Sequence, residues 1–415
     1  MVRRTFDRSP WNLDPEVSFL NHGSFGACPA PVLEAQRAWR DRLEAEPVRF
    51  LDRELEPLLD GVRAEVAAFL HADPDGIAFV PNATTGVSTV LASLRFSPGD
   101  ELLAGDHEYN ATLNAVRAAA ERDGAKVVIC HVPFPIHDPA EAAEAYLEAV
   151  TPRTRFALVS HVTSPTALVM PVAALVRELD RHGVDTLVDG AHAPGMVPVD
   201  LDALGAAYWT GNGHKWLCGP KGTAVLHARA DVRDRLRPLV VSHGFNDDRA
   251  DRSRFRKLFD WAGTTDVSGT LALSAAIRFV GGLHPDGWPG LMADNTAKAL
   301  AGRDRICAAL GVPPPAPDAM LGSMAAIPLP GLAATPEAAR RLQAQLFDEE
   351  RIEVPIIAVP VPAARPAGSA PAGVVVRISA QQYNQPEEYQ ALAVALATRL
   401  SGPSRPRSLL GRLRR

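Results

Sequence analysis

The stretch Tyr208-Trp209-Thr210-Gly211-Asn212-Gly213-His214-Lys215-Trp216-Leu217 lies downstream of an apolar run that ends in Asp189-Gly190-Ala191-His192-Ala193. Lys215 stands among aromatic, glycine and histidine residues, with no Lys or Arg between it and Arg181. An ammonium on a solvated face keeps its water. In a poorly solvated pocket it loses part of its preference for the charged form, and a neutral amine can form a Schiff base. An aspartate at the C-terminal end of a buried strand suits the ring nitrogen of pyridoxal phosphate (PLP), because a carboxylate there keeps the pyridine protonated and the ring an electron sink. Either residue alone is a common structural feature. The order strand, Asp-x-x-His, second strand, His-Lys carries the reading of a PLP site.

Outward from this pair, apolar runs alternate with helical patterns. Strands are expected at 77–80, 101–104, 126–130, 154–160, 186–189, 207–210 and 222–226, with helices starting near Thr84 and Asn110 and helical periodicity over 113–122 and 172–182. Unbroken apolar strands separated by helices predict an α/β fold with a mostly parallel sheet buried on both faces. After about Leu271 the helices lengthen and one alternating strand, 374–379, stands apart. The expected organisation is an N-terminal segment 1–18, a large PLP-binding domain 19–270, a smaller α+β domain 271–400, and a basic flexible tail 401–415 with five arginines. The Pro/Ala-rich stretch 359–373 reads as a loop lying over something or as a flexible lid.

The 415 residues are 47% hydrophobic and 22% charged with net charge −5, enough for a large core and a second domain. Mild acidity gives no reason to expect nucleic acid or an anionic membrane as partner. No run reaches the roughly 20 apolar residues of a spanning helix. Residues 1–7 carry charge but no apolar h-region, so no secretory signal is expected. Cys28, Cys130, Cys218 and Cys307 are scattered without metal or disulfide spacing, which fits a reducing cytoplasm and predicts no metal.

Asn82-Ala83-Thr84-Thr85-Gly86 lies at a strand-to-helix junction. Unpaired N–H groups and the helix dipole favour a phosphate there, although the same residues also make a plain N-cap. In Asp106-His107-Glu108-Tyr109-Asn110, an imidazole or a phenol could stack on a pyridine ring. Ser160-His161-Val162-Thr163-Ser164-Pro165 ends another strand and could reach the cofactor's phenolic oxygen, while the Gly/Thr-rich 261–266 offers further phosphate donors. Arg377 is either a bidentate grip on a substrate carboxylate or an exposed strand residue.

These segments, with Asn21-His22-Gly23-Ser24-Phe25-Gly26 and Arg377-Ile378-Ser379, occur in an order that resembles the class V aminotransferase family, and within it the isopenicillin N epimerase-like group. The likeness runs from about Phe19 to the region of Leu392. It implies a PLP-dependent transferase fold of type I and a homodimer with the site between subunits. Lys215 would be the Schiff-base lysine and the α-proton base, Asp189 would pair with the pyridine nitrogen, and His192 would lie beside the cofactor. Asn82, Thr84, Thr85 and His214 would form the phosphate end, with Thr264 or Thr265 arriving from the neighbouring subunit. His107, or its rival Tyr109, would stack on the ring, and Ser164 would approach the cofactor. Asn21, His22 and Arg377 would face a small amino-acid substrate.

Three reactions compete once the α-C–H is acidic: epimerisation, β-elimination at a C–S bond, and desulfuration by a protein thiolate. The third needs a cysteine on a mobile loop before the Arg377 strand, and 359–373 contains none. Between the first two, His22, His161, His192, His214 and Tyr383 are all chemically able to serve as a second acid, so their presence decides nothing. Overall resemblance favours epimerase-like chemistry, with C–S lyase next.

Overall fold

The structure is a computed structural model that describes residues 8–366 and 368–400. The charged N-terminal stretch 1–7 and the basic tail 401–415 lie outside the described residues. Twelve strands carry the architecture: β1 Ser18–Phe19, β2 Ile77–Val80, β3 Glu101–Gly105, β4 Lys126–Cys130, β5 Thr154–Ser160, β6 Asp185–Asp189, β7 Tyr208–Asn212, β8 Ala224–Ala228, β9 Met324–Pro328, β10 Ile352–Glu353, β11 Ile356–Val359 and β12 Gly373–Ser379.

Seven of them form one sheet in the order β2-β8-β7-β6-β5-β3-β4. The pairs β7–β6, β6–β5, β5–β3 and β3–β4 are parallel, and β8 pairs antiparallel with both β7 and β2. The expected α/β fold with a mostly parallel sheet is what the chain adopts. Alternate residues of each strand enter different cores. Leu102, Phe156, Leu158 and Leu187 pack with Val87, Val90, Leu113 and Val116 of the helices Ala83–Ser93 and Asn110–Asp123. Leu103, Ala157, Val159 and Val188 join Tyr146, Leu175 and Leu179 from the helices Pro139–Glu148 and Val172–Arg181. Burial on both faces is the reason these strands read as unbroken apolar runs.

A second, antiparallel sheet has the order β11-β12-β9. Its even residues Val374, Val376 and Ile378 share a core with Leu392 and Leu396 of the helix Pro386–Leu400, while Val375 packs with Trp216 and Met196. The odd face of β12, which carries Arg377, therefore looks toward the seven-stranded sheet. β1 pairs in parallel with β10, and Arg8 makes a buried ion pair with Glu388 at 2.9 Å, so the first described residues pack with the C-terminal part. We propose the change near residue 270 as a domain boundary with that amendment. The 359–373 stretch lies over the helix Asn110–Asp123: Ala363 receives Arg117 on its carbonyl at 2.9 Å, and its N–H donates to Asn110 Oδ1 at 2.9 Å.

Candidate active site

Parallel strands end on one edge of the sheet, so the residues that close them meet there. Ser160 ends β5 and pairs in register with Asp189, which ends β6 and pairs with Thr210 of β7. The loops beyond these ends form a cavity walled by Thr84, Tyr109, Ser164, Asp189, His192 and Lys215 among others.

Asp189 is 4% exposed, and one carboxylate oxygen accepts the Ala191 N–H at 3.0 Å. Burial pushes its carboxyl upward, against that hydrogen bond and the Lys215 charge. Lys215 follows β7, and desolvation pulls its ammonium down to about 7, helped by Arg377 and opposed by Asp189. Its Nζ lies 3.2 Å from His192 Nε2, and Trp216 Nε1 donates to His192 Nδ1 at 3.3 Å. An indole N–H can only donate, so Nδ1 is the acceptor and Nε2 carries the imidazole proton. That proton points at a neutral amine. Burial, Lys215 and Arg377 all keep His192 uncharged.

The helix Ala83–Ser93 begins on the wall of the same cavity. Asn82 Oδ1 caps it, accepting the Thr85 N–H at 2.8 Å and the Thr85 hydroxyl at 3.0 Å, and Ala83 N–H donates to Asn212 Oδ1 at 2.9 Å. Asn82, Ala83 and Thr84 line the cavity, and of these Thr84 carries the hydroxyl. The helix sits close on β7 because residue 86 is glycine: a Cβ there would lie 2.2 Å from Thr210 Oγ1. His214, on the cavity wall, must donate from Nδ1 to the Thr223 carbonyl at 3.0 Å, which leaves its Nε2 as an acceptor in the neutral ring. Burial holds His214 down to about 4, with Lys215 and Lys221 adding to the effect. A phosphate dianion at this position would reverse that balance and make Nε2 a donor.

Arg377 is 3% exposed. The half-exposed strand residue allowed by sequence pattern is thus corrected, because the large sheet covers the face that alternation left open. Its guanidinium donates to the Ser164 carbonyl and, at 3.0 Å, to the Ser24 hydroxyl, while Nε has no partner among the described residues.

Several expected residues go elsewhere. His107 Nδ1 meets Thr166 Oγ1 at 2.9 Å, and its ring lines a neighbouring pocket with Asp106, His131 and Phe134. Tyr109 is the member of that turn on the cavity wall. His22 has both nitrogens engaged, by Tyr383 hydroxyl at 2.8 Å and the Lys215 carbonyl at 3.1 Å; burial drops it to about 3. Asn21 holds Ser24 Oγ at 2.5 Å and Glu353 at 3.0 Å. Asn21 and His22 therefore brace the wall instead of facing the substrate. The Thr85 hydroxyl is taken by its cap. Thr264 and Thr265 are exposed and do not line this chain's cavity. His161 and Tyr383 also stand off the wall. Sequence reasoning missed Ser24, Phe25 and Asn212 as wall residues, although all three lie inside segments already singled out. Gly26 holds that first segment against the lysine loop, with φ +70° and a would-be Cβ 2.1 Å from His214 carbonyl oxygen.

A helix N-terminus with Thr84 and His214, the Lys215 amine and the buried Asp189 carboxylate, all on the wall of one cavity, fit the phosphate, aldehyde and pyridine nitrogen of PLP. A protonated ring nitrogen would give Asp189 the partner its burial lacks. Among the described residues no group of three or more His, Cys, Asp or Glu could hold a metal ion, and no helix is long and apolar enough to cross a membrane.

The family model described as aminotransferase class-V matches residues 27–289. An isopenicillin N epimerase of Amycolatopsis lactamdurans is 36% identical, over 94% of this chain and 96% of its own. A probable chloroplastic L-cysteine desulfhydrase of Arabidopsis thaliana is 32% identical, over 92% of this chain and 83% of its own. A solved structure of C-DES with glycine covalently linked to its PLP cofactor superposes with a TM-score of 0.74 at 24% identity, covering 92% of this chain and 96% of that one.

Proposed function

The chain belongs to the aminotransferase class-V family, a PLP-dependent family, and from that premise we propose that it is an isopenicillin N epimerase-like enzyme acting at the α-carbon of an amino acid or an amino-acid-bearing metabolite. The observation that carries this reading is the buried Lys215 amine, its ammonium pulled down by desolvation and its Nζ 3.2 Å from His192 Nε2, on the wall of one cavity with Asp189. PLP, when bound, draws electrons from the α-carbon and makes its C–H acidic. Lys215 would hold the cofactor through its amine, and that amine is the base that would take the α-proton. His192 Nε2–H steadies the Lys215 lone pair, Asp189 keeps the proton on the ring nitrogen, and Thr84 and His214 anchor the phosphate. Tyr109 takes the ring-stacking place in preference to His107, and Ser164 lies on the same wall. Arg377 turns from its serines to the substrate carboxylate, the anion its unpartnered Nε leaves room for.

Epimerisation needs a proton donor on the face away from Lys215. With His22, His161 and Tyr383 off the wall, Tyr109 is the remaining candidate outside the Lys215–His192 pair and the phosphate end. β-Elimination at a C–S bond is the second reading, favoured by the same hydrogen-bonded pair: the proton collected by Lys215 can be returned to a departing thiolate on the same side. A desulfurase is disfavoured. None of the four cysteines lines the cavity, and burial pushes every one of the thiols up. We further propose a cytoplasmic homodimer with the site at the subunit boundary.

Purified protein loaded with PLP and offered a panel of amino acids in D2O decides between the reactions. Deuterium at Cα without release of pyruvate or ammonia marks an epimerase; release marks a lyase. Neither outcome with any amino acid would sink both readings.

A further inference from the structure

Glu108 takes no part in the scheme above, yet it is 1% exposed and its carboxyl is bonded to Ser160, a residue of the cavity wall. Its Oε1 accepts the Ser160 N–H at 2.9 Å and the Tyr146 hydroxyl at 2.8 Å, and its Oε2 meets the Ser160 hydroxyl at 2.5 Å. The Tyr146 oxygen in turn accepts the Gly105 N–H at 2.9 Å. A Cβ on Gly105 would lie 2.5 Å from that oxygen, so the end of β3 is shaped to the cluster. Ser160 pairs in register with Asp189 and lines the cavity.

The hydrogen bonds allow two arrangements. An ionised carboxylate only accepts, so Ser160 gives its proton to Glu108 and turns lone pairs to the cavity. A protonated Glu108 must carry its proton on Oε2, because Oε1 already receives two donors. It then donates to Ser160, whose own proton is free to point into the cavity. We propose that Glu108 and Ser160 form a proton switch in the wall beside Asp189, with Glu108 a positioning residue that sets whether Ser160 accepts or donates a hydrogen bond toward bound PLP or substrate.

The groups facing Glu108 are Asp189 from β6, Tyr146 from the helix Pro139–Glu148 and Cys130 at the end of β4. Burial raises Tyr146 and Cys130 so far that both stay neutral, which leaves the carboxyls of Glu108 and Asp189, and of these Glu108 is the one bonded to Ser160. Burial pushes its carboxyl up to about 7, against the Ser160 hydrogen bonds and with the Asp189 charge in support. The switch turns near neutrality.

Glu108→Gln tests it. The amide oxygen keeps the Oε1 acceptor role, and its NH2 donates to Ser160 as the protonated acid does. That variant should therefore show the acid-side wild-type spectrum of the PLP-loaded protein from about pH 6 to 8, where wild type changes. Ser160→Ala should lose the same spectral change, and without the hydroxyl's hydrogen bond the Glu108 carboxyl is left to rise further. A second arm uses the protein without PLP. A carboxyl raised on folding costs stability as pH rises from its unfolded value to its folded one. The melting temperature of Glu108→Gln relative to wild type should accordingly rise between about pH 5 and 8. The inference rests on the PLP reading, and a protein that takes up no PLP defeats that reading while leaving the second arm to decide the switch. A melting difference constant with pH, or a wild-type spectral change that survives in Glu108→Gln or in Ser160→Ala, overturns the proposal.

Discussion

At the scale of single residues, the chemistry of the site turns on one amine. Lys215 was legible because a lone lysine among aromatics, glycines and histidines has little water to gain, and Asp189 because a carboxylate closing an apolar strand has few neighbours to satisfy it. The structure adds the reason the amine is neutral: desolvation first, then Arg377. With its ammonium lowered to about 7, Lys215 should capture PLP at a rate that rises through pH 7 and then levels. An ordinary lysine would keep gaining up to about pH 10. Borohydride trapping with peptide mapping measures the rate and the place; Lys215→Ala should trap none, and trapping on Lys221 or Lys257 would refute the assignment. Arg377 makes a sharper case about shape. Arg377→Lys keeps a charge but removes the planar fork, so transition-state stabilisation should fall by about 3–5 kcal/mol with PLP still bound. A kcat/KM near that of wild type would move the carboxylate grip to another residue. Its burial was not legible, since Val374 to Ser379 alternates like a strand with one wet face and nothing local announces the sheet that covers it.

At the scale of elements, strands were readable and turns were not. A parallel strand packed on both faces leaves an apolar run that any scan finds, whereas Asp106 to Asn110 is a turn with no period to say which side chain points inward. Hence His107 and Tyr109 could not be separated by sequence, and the structure gives the wall to Tyr109. The same ambiguity attends His22, since a polar residue in a buried motif reads equally as a ligand or as a brace. The helix Ala83–Ser93 divides its threonines in a testable way. Thr85 is bound to the cap by two hydrogen bonds, and Thr84 faces the cavity. Asn82→Ala should cost about 1 kcal/mol of stability with or without PLP, the usual loss of an N-cap. Thr84→Val should leave the melting temperature of the free protein nearly unchanged and weaken PLP binding by about tenfold, the worth of one charge-assisted hydrogen bond. PLP titration of both variants checks the split. Equal PLP affinity in Thr84→Val and wild type would take the phosphate away from this helix.

At the scale of the whole molecule, the proposed homodimer turns on two exposed regions of the chain. Thr264 and Thr265 are exposed and away from its wall, and the segment before them carries the exposed apolar side chains Leu239, Val240, Val241 and Phe245. Phe25 and Tyr109, at the cavity itself, are exposed as well. Apolar side chains left bare on two regions of one chain suit a symmetric dimer, in which each covers the other across a two-fold axis. A phosphate-binding role for Thr264 and Thr265 then requires them to serve the partner's cavity, and chain complementation tests that geometry directly. Lys215→Ala alone should be inactive, and Thr264→Ala/Thr265→Ala alone should bind PLP weakly. Unfolded and refolded together, half of the dimers are mixed. In each mixed dimer one site joins an intact Lys215 from one chain to intact threonines from the other, while the second site has neither. Activity should therefore return to about a quarter of the wild-type value per site, by the statistics of random pairing. If the threonines serve their own chain, no mixed site is whole and mixing restores nothing. If the double-threonine variant is fully active alone, the phosphate end is complete with Thr84 and His214, and the exposed Gly/Thr segment has another use.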